Sequence, residues 1–198
     1  MECINILYID DDFQPQLSHY LAMEYSKDKN GFTYDELKFT TNTTLVELLN
    51  NPKISNANII ILDSRLFQNA IVEDEKFNGE EVKTILHKYL PYIEILIVTQ
   101  NDSVDGYDFI KKFKSSRTQT DYIEYYNDNL NNKIKEAIKK INAYRMLFSK
   151  IASSGRFDES IINKLKDSID GILVYDELRK SDIDELIKAF KELESKYE

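Results

Sequence analysis

Three aspartates and one threonine stand where they could do phosphoryl chemistry. Asp10 and Asp11 close an apolar run at residues 4–9, Asp63 closes one at 58–62, and Thr99 closes one at 93–98. If those runs are parallel strands of one open sheet, their carboxyl ends share a crevice, which is where ligands of such sheets bind. Carboxylates a few Å apart oppose one another's ionisation unless a cation sits among them. Hard oxygen ligands favour Mg²⁺, which keeps several waters and commonly bridges to a phosphoryl oxygen. Asp is also a good turn and N-cap residue. That accounts for any one of these positions, but poorly for all four in this order.

Periodicity supplies the strands and helices that would carry these residues. The runs at 4–9, 58–62 and 93–98 are nearly continuous in aliphatic residues, as strands covered on both faces are. Weaker runs at 36–40 and 122–126 supply a second and a fifth strand. Between them, helical spacing links Leu17, Tyr20, Leu21 and Tyr25, then Leu45, Leu48 and Leu49, then Val82, Ile85, Leu86 and Leu90, and then Phe109, Ile110 and Phe113. Strand and helix alternate to about residue 140, which predicts an α/β fold with a doubly wound, five-stranded parallel sheet. A long fifth helix carries Leu130, Ile134, Ile141 and Phe148 on one face. After Gly155 come two acidic amphipathic segments, opening near Asp158 and Ser181. The expected division is therefore a sheet domain over 1–142 and, over 143–198, an extended helix plus a two-helix interaction module.

Composition narrows the chemistry. The chain has 198 residues and a formal net charge of −9, which argues against a nucleic-acid groove or an anionic membrane as partner. Residues 151–198 hold 8 basic and 12 acidic side chains and no basic recognition helix. No apolar run approaches the roughly 18–20 residues of a membrane span, and the opening residues lack a basic stretch before an apolar one, so a cytoplasmic protein is expected. One cysteine, Cys3, and two separated histidines, His19 and His87, cannot build a Cys/His metal site.

Taken in order, ILYIDDD, IIILDS, NGEEV, ILIVTQ and DYIEYY resemble the receiver domain of two-component response regulators over about residues 4–142. The resemblance implies a strand order of 2-1-3-4-5 and a site to match. Asp10 and Asp11 would bind Mg²⁺ together with Asp63 and the backbone carbonyl of Arg65. Asp63 would accept a phosphoryl group from a histidine kinase or another phosphodonor, Thr99 would contact that group, and Tyr122 would move with Thr99 as the switch aromatic. The family also has a lysine near the end of the fifth strand. Aligning DYIEYY on Asp121 and Tyr122 puts Tyr125 at that position, with Lys111, Lys112 and Lys114 too early and read as a solvated helix face.

Gln100, where the family favours a small residue, is expected to crowd the pocket. Residues 66–78 form a longer connection than the family norm, either a tolerated surface insertion or a lid over the site. The leading expectation is a signalling protein phosphorylated on Asp63 with Mg²⁺ and without enzymatic turnover. It would act through a protein target or self-association of the fifth and terminal helices. Two alternatives stand beside it: a degenerate receiver working as a phosphorylation-independent adaptor, and a haloacid-dehalogenase-like phosphatase using the Asp-x-Asp of Asp10 to Asp12.

Overall fold

The computed structural model describes residues 3–26, 31–40, 43–65, 78–100, 109–116 and 121–169. The lid expected in the 66–78 connection and the helix expected from Ser181 lie outside the described residues, apart from Asn78.

Five strands, β1 (Ile4–Asp10), β2 (Phe32–Lys38), β3 (Ile59–Asp63), β4 (Glu94–Thr99) and β5 (Phe109–Lys111), pair in parallel. Their order is β2-β1-β3-β4-β5, the order expected from the sequence. The helices are α1 (Pro15–Tyr25), α2 (Leu45–Leu49), α3 (Pro52–Ser55), α4 (Gly79–Tyr89), α5 (Tyr122–Tyr126), α6 (Asn132–Ser153) and α7 (Glu159–Ile169). One π-helical turn, Asn127–Asn131, joins α5 to α6, so the chain is helical from Tyr122 to Ser153. No helix among the described residues is long and apolar enough to cross a membrane.

Alternation along the central strands builds a core on each face, because successive side chains point to opposite sides of a sheet. Ile4, Ile6 and Tyr8 of β1 join Ile59, Ile61, Val98 and Ile110 under α1, α5 and α6. Leu7 and Ile9 join Ile60, Leu62 and Ile95 under α2, α3 and α4. Each fully buried aliphatic side chain contributes about 1.5–3 kcal/mol. The continuous apolar runs of the sequence are the consequence of having both faces covered.

The fifth strand corrects the sequence reading twice. Phe109, Ile110 and Phe113 were expected on a helix, yet Phe109–Lys111 is the edge strand β5, with Ile97 opposite Phe109 and Thr99 opposite Lys111. Three residues are too few for a period-2 signal, and their spacing with Phe113 imitates a helical face. Residues 122–126 were expected to be that strand, and they form α5. Their aromatic and β-branched content favours a strand locally, but the Asp121 carboxylate accepts the N–H groups of Ile123 and Glu124 and starts a helix. The Asp121/Glu124 spacing is a capping signature that could have revealed this.

Two further devices fix the crevice. Asn78 caps α4 in a reciprocal box with Glu81. Gly79 then brings the start of α4 against the end of β3: its N–H donates to the Ser64 carbonyl at 2.9 Å, and an added Cβ would lie 2.9 Å from both the Asp63 carbonyl oxygen and Ser64 Cα.

Candidate functional site

The parallel register stacks the strand ends. Phe39 N–H donates to the Asp10 carbonyl, Ser64 N–H to Val98, and Lys112 N–H to Thr99. Asp10, Asp63, Thr99 and Lys112 are thereby brought to one edge of the sheet, and all four are buried.

At the centre is the Lys112 ammonium. Its Nζ lies 2.6 Å from Asp10 Oδ2 and 2.7 Å from Asp63 Oδ1, with side-chain exposures of 3%, 1% and 8% for the three residues. Asp63 Oδ2 accepts the Arg65 N–H at 2.7 Å, and Asp10 Oδ1 accepts the Asp12 N–H at 3.0 Å. Asp11 is half-buried at the rim. Asp10, Asp11 and Asp63 each offer an oxygen within 4.8 Å of the others, so the donor set is all hard oxygen and compact enough for one small divalent cation.

Charge in this crevice is unbalanced. Burial pushes the Asp63 carboxyl up, with the Lys112 ammonium pulling the other way and Asp10 adding to the rise. Burial disfavours the Lys112 charge, but Asp63 and Asp10 outweigh that and hold its pKa above the ordinary lysine value. Among the described residues, one ammonium lies between two buried carboxylates with a third carboxylate at the rim, and oxygens this close favour a cation among them.

Lys112 corrects the expectation of a missing lysine. Tyr125 does not stand in for it: that side chain is on α5, and its hydroxyl donates to the Lys111 carbonyl at 3.0 Å. Lys111 and Lys114 are exposed, as a solvated face requires, whereas Lys112 is 4% exposed. The structure does not bring Tyr122 onto the sheet either. It is half-buried on α5, with its hydroxyl 2.7 Å from His19 Nδ1 on α1. The aromatic on the true fifth strand is the half-buried Phe109.

Thr99 is at the site but turned from Asp63. In-register neighbours of a parallel pair share a face, and Asp63 is opposite Val98, so Thr99 sits one step on, across the pleat. There its hydroxyl accepts from Ser64 Oγ at 2.8 Å. Gln100 does not crowd the crevice: its side chain is exposed and its carbonyl accepts from Lys114 Nζ.

Three supporting residues escaped the sequence reading. The Tyr126 hydroxyl accepts the Phe113 N–H at 3.0 Å and donates to Gln14 Oε1, while Gln14 Nε2 donates to the Phe113 carbonyl at 2.7 Å. This closed ring fastens the residue after Lys112 to the start of α1. The Tyr8 hydroxyl donates to Asp10 Oδ2. For Tyr8 the signal was a tyrosine two residues before the acidic pair within an otherwise aliphatic strand; Gln14 left none, because its partners Phe113 and Tyr126 are 99 and 112 residues away, and Tyr126 is joined to it across the same gap.

No protein-family model matches the chain, and no curated protein does. Two solved structures are similar in shape. One is a two-component transcriptional regulator AraC from Clostridium phytofermentans ISDg, 14% identical, covering 73% of this chain and 98% of that one with a TM-score of 0.44. The other is the two-component response regulator RcsB in a DNA complex, 14% identical, covering 89% and 95% with a TM-score of 0.35. By its own strand pairing the chain has the five-stranded parallel sheet, in the order 2-1-3-4-5, of the receiver and flavodoxin-like folds, followed by C-terminal helices.

Proposed function

We propose that the protein is a phosphorylation-controlled signalling receiver that accepts a phosphoryl group on Asp63. The observation that carries this reading is Lys112 Nζ seated between Asp10 and Asp63, beside a third carboxylate, at the carboxyl edge of the sheet. Transfer from a phosphohistidine needs little covalent assistance. An Asp63 carboxylate oxygen attacks phosphorus in line, the P–N bond breaks, and its electron pair leaves with the imidazole, so catalysis is positioning and charge neutralisation.

Lys112 already touches Asp63, and its ammonium stays charged to meet the equatorial phosphoryl oxygens. Asp10, Asp11, Asp63 and the Arg65 carbonyl are the groups that would hold Mg²⁺, which supplies the remaining neutralisation. Thr99 would have to turn toward Asp63 to bring its hydroxyl to a phosphoryl oxygen, and that movement, with Phe109 on the adjoining strand, is how a change at Asp63 would spread to the β4–β5 face. A phosphodonor such as a histidine kinase loads the site. The protein itself turns over no substrate, and its output is a protein contact or self-association through the long helix α6 and the C-terminal segment beyond it. The buried lysine supports this reading over that of a degenerate, phosphorylation-independent receiver.

The test is intact mass after incubation with Mg²⁺ and acetyl phosphate, with beryllium fluoride as an NMR analogue. The expected result is a single phosphoryl adduct and shifts at Thr99 and Phe109, both lost in Asp63→Asn. No adduct and no shifts at millimolar Mg²⁺ would refute the reading.

A further inference from the structure

Tyr8 lies on β1 two residues before Asp10 and is fully buried, its ring edge-on to Phe13 with centroids 5.2 Å apart. Residues two apart on a strand share a face, so the hydroxyl reaches Asp10 Oδ2 and donates to it. A phenol keeps its proton at physiological pH, so the hydroxyl is a donor there.

The acceptor positions of Asp10 can then be counted. A carboxylate offers about four, two on each oxygen. On Oδ2, Tyr8 takes one and Lys112 Nζ, at 2.6 Å, takes the other. On Oδ1 the Asp12 N–H takes one. Asp10 therefore has a single lone pair left, on Oδ1, and cannot grip a cation with both oxygens while Tyr8 and Lys112 hold Oδ2.

Resting on the reading of Asp10, Asp11 and Asp63 as a cation site, we propose that Tyr8 is a positioning residue that makes Asp10 a one-oxygen ligand and thereby sets the site's preference for Mg²⁺ over Ca²⁺. Mg²⁺ is small and strictly octahedral and takes carboxylates through one oxygen. Ca²⁺ accepts more oxygens and readily takes a carboxylate through both. Freeing a lone pair on Oδ2 gives Ca²⁺ a contact that Mg²⁺ has no room to use. Tyr8 on Oδ2 and the Asp12 N–H on Oδ1 hold the carboxylate from both oxygens, so it cannot swing to offer Oδ2 without breaking one of these bonds.

The experiment is calorimetric titration of the full chain with MgCl₂ and, separately, CaCl₂, in wild type and Tyr8→Phe. Phenylalanine keeps the ring and its packing and removes only the hydroxyl. Comparing two cations on one variant cancels any general loosening of the site. Tyr8→Phe is expected to shift the preference toward Ca²⁺ by about tenfold, the size of one hydrogen bond to a charged group. A preference unchanged within about twofold would overturn the proposal.

A second measurement needs no variant: the buried Tyr8 hydroxyl proton should give a protected downfield NMR signal that survives saturation with Mg²⁺. Its loss on adding Mg²⁺ would mean that Asp10 leaves Tyr8 to bind, which also overturns the proposal. If the wild type takes Mg²⁺ and forms the phosphoryl adduct while the preference stays unchanged, only the role of Tyr8 fails. If the wild type binds no divalent cation, both fail.

Discussion

Replacing Lys112 by glutamine should be among the most damaging single changes at the crevice, and its effect should depend on Mg²⁺. The ammonium is within 2.7 Å of two carboxylates, and all three side chains are nearly inaccessible. At an effective dielectric of about 20, each contact carries a gross attraction of about 6 kcal/mol. Withdrawing the charges from water costs several kcal/mol per ion and offsets most of that, so the triad adds little net stability. Removing one member is another matter, because Asp10 and Asp63 are then buried side by side without a counter-charge, at a cost of about 3–5 kcal/mol.

For a chain of this size the loss corresponds to a melting temperature lower by about 10 °C, with the denaturant midpoint falling in step. The vacancy in charge is also one that a cation can fill. Mg²⁺ should therefore stabilise Lys112→Gln by more than it stabilises the wild type, in proportion to its tighter binding. Thermal melts with and without millimolar Mg²⁺ measure both effects. A loss under about 1 kcal/mol, together with the same Mg²⁺ response as the wild type, would refute the placement of Lys112 between the two aspartates. It would return the lysine to the exposed helix face that its neighbours suggested.

Two more outcomes come from the geometry. Gly79→Ala places a methyl 2.9 Å from backbone atoms of Asp63 and Ser64, neither of which can swing aside. It should cost about 1–3 kcal/mol, and an unchanged urea midpoint would show that α4 does not approach β3 so closely. In alkali, the Tyr20 hydroxyl is pushed up to about 12 by burial, and those of Tyr8, Tyr25, Tyr34 and Tyr126 higher still. The folded chain holds these protons more tightly than the unfolded one. Their stabilisation is thus complete below about pH 10 and is lost as pH climbs toward and past 12, and the raised Lys112 acts in the same sense. Tyrosinate absorbance should rise with the loss of circular dichroism. Ionisation of all the tyrosines near the ordinary phenol value with the fold intact would contradict this.

What could be read from the sequence, and what could not, divides along a physical line. The three central strands and the positions of Asp10, Asp11, Asp63 and Thr99 were legible because β1, β3 and β4 are buried on both faces, and burial writes long aliphatic runs that end abruptly in polar residues; the strand order followed only from the resemblance to receiver domains. The fifth strand was not legible, since an edge strand of three residues writes almost nothing, and two of the four residues Ile110–Phe113 are lysines. Charge ordinarily marks solvent, yet Lys112 is inside because two aspartates from strands far away in sequence require it there. A residue whose burial is dictated by distant partners carries no local signal of that burial.

The same holds for Tyr8 and Tyr126, which resemble ordinary core aromatics until their hydroxyls are seen on Asp10, Gln14 and Phe113. Electrostatics supplies the missing signal for the lysine. Three converging carboxylates at the end of an α/β sheet demand positive charge, and a lysine near the next strand end is the group that can supply it. In this chain Lys112 stands in the one short segment, FIKKF, that sets a pair of lysines between apolar residues in the stretch from Thr99 to Asp121.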